Sequence, residues 1–81
     1  MSDEKVARDY VHRRQQAYKL IFESDVGQVL LKDLSTFCRA HSSTFNEDPR
    51  LSDVLEGRRE VWLRIQHHLQ LNDNKLWELY R

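Results

Sequence analysis

Hydrophobic residues recur along most of the chain at intervals of three, four and seven, the spacing that places them on one face of an α-helix. Four such segments are separated by short polar stretches. Each begins beside residues that commonly cap a helix: Ser2, Ser24, Asp48 with Pro49, and Asn72-Asp73-Asn74. The pattern predicts an all-α fold in a single domain, 1–81, with helices at about 3–22, 25–40, 49–71 and 74–80.

The expected architecture is a compact three-helix bundle with an additional short C-terminal helix. The second segment has the clearest apolar face, so it is expected to be the central member; the face comprises Val26, Leu30, Leu34, Phe37 and Cys38. The first segment has a narrower stripe made of Val6, Tyr10, Ala17, Leu20 and Ile21. Phe45, in the connecting loop, is expected to anchor in the core. The sequence leaves open whether the first two helices are separate or form one bent helix.

Two glycines lie inside predicted helices, where glycine costs about 0.5–1 kcal/mol relative to alanine. Gly57 falls within the apolar stripe of the third helix, and Gly27 lies in the first turn of the second. We expect both to allow close packing against a neighbouring helix.

Arg58 is expected to stack on an indole such as Trp62, or to pair with Asp33. Trp62 itself is assigned to the core.

Composition narrows the range of functions. The 81 residues carry 13 basic and 13 acidic side chains, so the formal net charge is zero. This balance removes the electrostatic argument for a dedicated binder of nucleic acid or anionic membranes. The chain has one cysteine, no apolar run long enough to span a bilayer, and an acidic start unlike a signal peptide. We therefore expect a reduced, cytosolic location.

Candidate chemistry is sparse. Cys38 and His41 lie one helical turn apart, and the pair His67 and His68 could complete a zinc site in principle. Adjacent helical histidines point about 100° apart, so they do not readily reach one metal. A Cys38 nucleophile with His41 as base lacks an orienting third group. The sequence thus predicts no metal, no cofactor and no enzymatic activity, with Cys38 as a small buried hydrophobic residue.

The sequence offers more candidate residues for binding a partner than for catalysis. The candidate partner contacts are Arg13, Arg14, Arg59, Trp77 and Tyr80. Two alternatives stay open at this point. The arginines could simply pair with nearby glutamates while the tail aromatics complete the core, or the arginines of helices 1 and 3 could form a face for nucleic-acid phosphates.

The order of short motifs is more specific than any one of them: Phe22, Gly27-Gln28-Val29-Leu30, Asp33-Leu34, Phe37-Cys38, Thr44-Phe45, Asp48-Pro49, and Glu56-Gly57-Arg58-Arg59 ahead of Ile65. This order resembles the Bbp19-like family of small proteins from tailed bacteriophages and prophages, over roughly Tyr18 to Leu69. The resemblance implies a phage-encoded helical protein found near head and packaging genes, with no catalytic residues to carry over.

The resemblance favours an accessory component of the virion, or of head or portal assembly, that acts by binding another phage protein such as a portal, capsid or scaffold protein. Its expected location is the host bacterial cytoplasm, with possible incorporation into the virion. An inhibitor that binds a host enzyme is the first alternative, and a nucleic-acid-binding protein is the second. Self-association into a homo-oligomer is also open.

Overall fold

The computed structural model describes residues 2–81, which form four α-helices and, in that range, no β-strand. The helices are α1 (Asp3–Phe22), α2 (Asp25–Phe37), α3 (Pro49–Gln70) and α4 (Asp73–Tyr80). The all-α class predicted from the hydrophobic pattern is confirmed. None of these helices is both long and apolar enough to cross a membrane, as far as the described residues go.

Side-chain caps begin all four helices. The side-chain oxygens of Ser2, Ser24, Asp48 and Asn72 each accept a hydrogen bond from a backbone N–H in the first turn, at 2.9–3.2 Å. Ser24 has extended backbone, with ψ of 160°. The chain therefore leaves the helical conformation between α1 and α2, and these are two separate helices.

The end of α2 comes at Phe37, three residues before the predicted end. Arg39 adopts a left-handed backbone conformation, with φ of 55°. The N–H groups of Arg39 and Ala40 donate back to the carbonyls of Thr36 and Ser35, at 3.2 and 3.0 Å. This pattern is a Schellman motif, which usually has glycine at the left-handed position. Arginine occupies that position here, so the helix end could not be recognised from residue type.

The central helix is α1, which contacts α2, α3 and α4, whereas α2 contacts α1 and, over a shorter stretch, α3. The expectation that α2 is central is wrong. The contact face of α1 also differs from the predicted stripe. Val11 and Gln15 are buried, and Tyr18 continues this row at helical spacing, while Val6 and Leu20 of the predicted stripe are exposed.

Much of the apolar side of α2 faces outward. Val26 is 81 % exposed and Val29 is 73 % exposed, and Leu30 and Phe37 are exposed as well. Only Gly27 is buried within the helix itself. Cys38, the residue that caps α2, is buried and unpaired, as expected for a small core residue.

Thr44, and not Phe45, anchors the connecting loop. Phe45 is 76 % exposed, so its predicted place in the core is wrong. The buried Thr44 hydroxyl donates to Glu56, and the Thr44 carbonyl accepts from the Ser52 hydroxyl at 3.3 Å. Polar contacts to α3 therefore fix this loop where the sequence predicted an aromatic contact.

The chain is more open than a compact bundle. Its radius of gyration is 15.2 Å, compared with about 12 Å expected for a compact domain of this length. Its accessible surface is 6303 Å², about 1,100 Å² more than the roughly 5,200 Å² expected for a folded monomer of 9.8 kDa. The buried apolar core is correspondingly small: Val11, Cys38, Leu55, Ile65 and Leu76.

The two glycines have opposite environments. A Cβ atom on Gly27 would lie 2.7 Å from the carbonyl carbon of Ile21 and 2.8 Å from the Cα of Phe22, so the tight turn from α1 into α2 requires glycine there. A Cβ on Gly57 would have no heavy atom of the described residues within 4 Å, outside its own helical backbone. The predicted packing contact at Gly57 is therefore absent.

Candidate partner-binding surface

Arg14 is held by tyrosines on the outside of the molecule. Its guanidinium lies 4.2 Å from the ring centre of Tyr10 and donates from Nη2 to the Tyr10 hydroxyl at 2.8 Å. The same guanidinium lies 5.8 Å from the ring centre of Tyr80. Hydrogen bonding to Tyr10, and to a smaller extent to Tyr80, raises the pKa of the Arg14 guanidinium. The side chain is thus a permanently charged group with a restricted orientation.

Tyr80 joins this arginine to α3. Its hydroxyl accepts from Nη2 of Arg64 at 3.1 Å, and the Arg64 guanidinium lies 5.3 Å from the Tyr80 ring centre. Arginines from α1 and α3 therefore flank one aromatic ring of α4. We refer to Tyr10, Arg13, Arg14, Arg64 and Tyr80 as the arginine–tyrosine surface. Arg13 is exposed and lies beside Tyr10 around a shallow hollow of about 230 Å³.

His68 supports this surface from within. Its Nδ1 lies 2.7 Å from the Arg64 carbonyl, which can only accept, so Nδ1 carries the proton. Nε2 is then free to accept from the Tyr80 hydroxyl at 2.6 Å. The ring of Tyr18 stacks on His68 with centroids 4.0 Å apart. Burial, which is the main cause, lowers the pKa of His68 and favours this neutral form.

Gln15 holds the end of α3 against α1. Its side-chain nitrogen donates to the carbonyls of His68 and Leu71, at 3.2 and 2.7 Å. The side chain is buried, and both carbonyls lie at the C-terminal end of α3, where helical partners are missing. The sequence does carry a signal for it, since Val11, Gln15 and Tyr18 are spaced by four and three residues. Gln15 is polar, so it lies outside the stripe predicted from the hydrophobic residues of α1.

Trp77 is half-buried between α4 and the start of α1. The Arg8 guanidinium lies 5.5 Å from its ring centre and donates to Asn74 at 2.6 Å. The indole N–H of Trp77 is buried without a hydrogen-bond partner among the described residues. Near it, His12 Nδ1 lies 3.3 Å from an Asp73 carboxylate oxygen. Trp77 thus contributes to internal packing, the alternative that the sequence left open.

Arg58 and Arg59 act where α3 meets the end of α2. The Arg58 guanidinium lies 4.3 Å from the ring centre of Phe37, so it stacks on this ring and not on Trp62 or against Asp33 as expected. Arg59 donates to the carbonyls of Ala40 and Ser42 at 3.3 and 3.2 Å. Arg59 therefore fixes the loop after α2 instead of extending toward a partner. Trp62 is half-buried, less than its assignment to the core implied.

Within the described residues, the arginines of the arginine–tyrosine surface do not pair with glutamates. The ion pairs of arginine within residues 2–81 are Arg8 with Glu4 and Arg81 with Glu78, and His12 lies within 4 Å of Asp73. None involves an arginine of the arginine–tyrosine surface. The neighbouring groups are aromatic rings and oxygen atoms without formal charge, so the positive charge of Arg14 and Arg64 is not neutralised by a carboxylate within 4 Å in the described chain.

A groove of about 560 Å³ between α3 and α4 borders the arginine–tyrosine surface. Leu63 and Leu79 expose apolar surface along it, and Glu60, Arg64, His67 and Tyr80 supply polar groups. This groove therefore presents apolar surface beside the Arg64 guanidinium, with the Glu60 carboxylate on the same lining. Over the described residues, no cluster of three or more potential metal ligands occurs.

A model of the family described as Bbp19-like phage protein matches residues 18–81 of the chain. The match confirms the resemblance and extends it through α4, beyond the predicted limit near Leu69. Arg64, Trp77 and Tyr80 lie inside the matched range, whereas Arg13 and Arg14 precede it. No curated protein and no solved structure matches the chain.

Proposed function

The chain belongs to the Bbp19-like phage protein family, and on that premise we propose that it is a non-enzymatic accessory protein that docks on another phage protein through the arginine–tyrosine surface. The partner is a portal, capsid or scaffold protein, bound in the host cytoplasm during head assembly or retained in the virion. The proposed contacts are Arg13, Arg14 and Tyr80 from the sequence, with Tyr10 and Arg64 added from the structure.

The observation that carries this proposal is the setting of Arg14. The side chain is half-buried, its guanidinium is oriented by Tyr10 and Tyr80, and no carboxylate lies within 4 Å of it among the described residues. An oriented arginine loses less side-chain entropy on binding than a free one. Arginine and tyrosine are also the residue types that most often dominate binding energy at protein interfaces.

The groove beside this surface supports a partner of one particular chemistry. Leu63 and Leu79 offer an apolar contact next to the Arg64 guanidinium. A complementary partner therefore carries a large apolar side chain with one or more carboxylates beside it. Such a pair would fill the groove and neutralise Arg14 and Arg64.

Affinity purification of the tagged full chain from infected cells, with mass spectrometry of the retained proteins, tests this proposal. We expect a portal, capsid or scaffold protein to be retained by wild type and lost with Arg14→Glu. Arg50→Glu is the matched control, because Arg50 is exposed near the start of α3 and outside the surface. Retention of a single host enzyme would instead make the chain an inhibitor, and equal loss in both variants would refute a role for this surface.

Nucleic-acid binding is a second candidate, because Arg14 of α1 and Arg64 of α3 both lie over Tyr80. Cationic and aromatic groups together suit single-stranded nucleic acid. This candidate predicts binding that weakens steeply with salt and is reduced by Arg14→Glu. Absence of binding to single-stranded DNA at low salt would remove it.

A further inference from the structure

We propose that His68 is a pH-sensitive switch: its neutral form holds Tyr80 against α3, and its protonated form releases Tyr80, so that the arginine–tyrosine surface loses its order when the pH falls. The switch goes beyond the docking function, because it is a property of the chain without a partner. Only its effect on partner binding rests on the proposed function.

His68 is enclosed by groups from three helices, and the residue is only 1 % exposed. The Tyr18 ring of α1 stacks on the imidazole with centroids 4.0 Å apart, and the Tyr80 ring of α4 meets it edge to face with centroids 5.6 Å apart. Nδ1 donates to the Arg64 carbonyl, and Nε2 accepts from the Tyr80 hydroxyl. A second proton can therefore bind this ring only at Nε2, where Tyr80 already donates.

Protonation of Nε2 reverses the hydrogen-bonding role of this nitrogen. In the neutral ring it accepts from the Tyr80 hydroxyl at 2.6 Å, whereas in the imidazolium it donates. Two donor hydrogens would then face each other across that distance. If the hydroxyl turned to accept from Nε2 and from Nη2 of Arg64, which lies 3.1 Å away, two cations would share one oxygen. Both arrangements are unfavourable for a charged ring in this position.

The charges around His68 also oppose its protonation. Arg14 of α1, Arg64 of α3 and, when protonated, His67 of α3 act on it with positive charge. Glu60 lines the same groove, but it lies eight residues before His68, about 12 Å along the helix. Burial is the main cause that lowers the pKa of His68, the positive charges add to it, and the hydrogen bond to the Arg64 carbonyl opposes it. The proton is therefore bound more readily once His68 reaches water.

Tyr80 is the group whose movement exposes Nε2 of His68 at the lowest cost. It is the last residue of α4, so only the final helical turn has to change. The earlier part of α4 has its own attachments, because Leu76 is buried and Trp77 lies under the Arg8 guanidinium. Release of Tyr80 therefore does not require the whole of α4 to leave the body of the molecule.

Release of Tyr80 affects the two arginines beside it unequally. Arg64 loses the Tyr80 hydroxyl at 3.1 Å and the ring at 5.3 Å. Arg14 loses its contact with the Tyr80 ring at 5.8 Å but keeps the Tyr10 ring at 4.2 Å and the hydrogen bond to the Tyr10 hydroxyl. The low-pH form should therefore retain an oriented Arg14 and lose the orientation of Arg64.

An NMR titration of the full chain, from about pH 7.5 to about pH 5, tests the switch without a partner. We expect the Hε1 signal of His68, the ring signals of Tyr80 and the Nε–H signal of Arg64 to shift with one midpoint below 6.5. The ratio of bound to released Tyr80 should fall by at most about tenfold per pH unit, the limit for one proton. His67→Gln is the matched control and should keep this transition, whereas His68→Gln should remove it.

Tyr80→Phe provides a second check, because it removes the hydroxyl without changing His68. At about pH 7.5 its Arg64 signal should be displaced toward the position that wild type reaches at low pH. Tyr80 and Arg64 signals that stay in place after His68 has titrated would overturn the switch. An unchanged transition in His68→Gln, or an unmoved Arg64 signal in Tyr80→Phe, would also overturn it.

Co-sedimentation with purified phage particles at the two pH values separates the switch from the docking function. We expect wild type to be lost from the particles at low pH and His68→Gln to be retained. A chain that shows the NMR transition but does not co-sediment at either pH would refute the docking function and leave the switch standing. Equal retention of wild type at both pH values would overturn the effect of the switch on binding.

Discussion

The hydroxyl of Tyr80 donates to Nε2 of His68 over 2.6 Å and links the last helix to the buried side of α3. The same hydroxyl accepts from Arg64, whose carbonyl in turn accepts from Nδ1 of His68. These three hydrogen bonds form a closed network in which each polar group has a partner. Tyr80 therefore both orients the arginines outside and satisfies the histidine inside.

Tyr80→Phe removes the hydroxyl while keeping the ring. We expect a loss of about 1–2 kcal/mol in the free energy of unfolding, because Nε2 of His68 would be buried without a donor. Urea denaturation followed by circular dichroism measures this loss. Tyr10→Phe is the control on an exposed tyrosine, and an equal effect of the two substitutions would contradict the internal role of Tyr80.

Stability should depend on pH through His68. Its pKa is lowered by burial from the ordinary value of 6.5, so the folded chain binds fewer protons than the unfolded chain as the pH falls below 6.5. The free energy of unfolding should decrease over that range by at most about 1.4 kcal/mol per pH unit from this group, until the pH reaches the lowered pKa.

Denaturation at a series of pH values checks this dependence. His68→Gln should flatten it, whereas His41→Gln, at an exposed histidine, should leave it unchanged. A profile that is the same in wild type and His68→Gln would show that another group is responsible.

Gln15→Leu keeps the size of the side chain and removes its donor. The carbonyls of His68 and Leu71 would lose a buried hydrogen bond, so we expect a destabilisation of about 1–3 kcal/mol. Gln16→Leu is the neighbouring control, because Gln16 is exposed on α1. If the two variants have the same denaturation midpoint and slope, Gln15 does not hold α3 as described.

The glycines should respond oppositely to alanine. Gly57→Ala should stabilise the chain by about 0.5–1 kcal/mol, because the added methyl group meets open space and helix propensity improves. Gly27→Ala should destabilise it, because the methyl group would overlap the backbone of Ile21. Thermal unfolding of both variants measures the difference. Destabilisation by Gly57→Ala would instead support the packing contact at Gly57 that the sequence predicted.

Local features of this fold were predictable, because they depend on neighbours in sequence. The caps at Ser2, Ser24, Asp48 and Asn72 place the helix starts with little ambiguity. The Schellman end of α2 was missed because Arg39, and not glycine, has the left-handed conformation. Such a residue gives no compositional sign of a helix end.

Long-range features were less predictable. The burial of Gln15 depends on two carbonyls more than fifty residues away, so a hydrophobic pattern treats it as a surface residue. The same limit applies to the site. Arg14 and Tyr80 could be named as candidate contacts from residue type, but their association with Arg64 depends on how α1, α3 and α4 meet.

The central claim is that an oriented arginine on the arginine–tyrosine surface docks the chain on a phage structural protein. The most direct measurement is the amount of the chain that co-sediments with particles purified from cells infected with phage that carry wild type, Arg14→Glu or Arg50→Glu. Our account predicts co-sedimentation of wild type and Arg50→Glu and loss of Arg14→Glu. Absence of the wild-type chain from procapsids and virions alike, or undiminished co-sedimentation of Arg14→Glu, would contradict it.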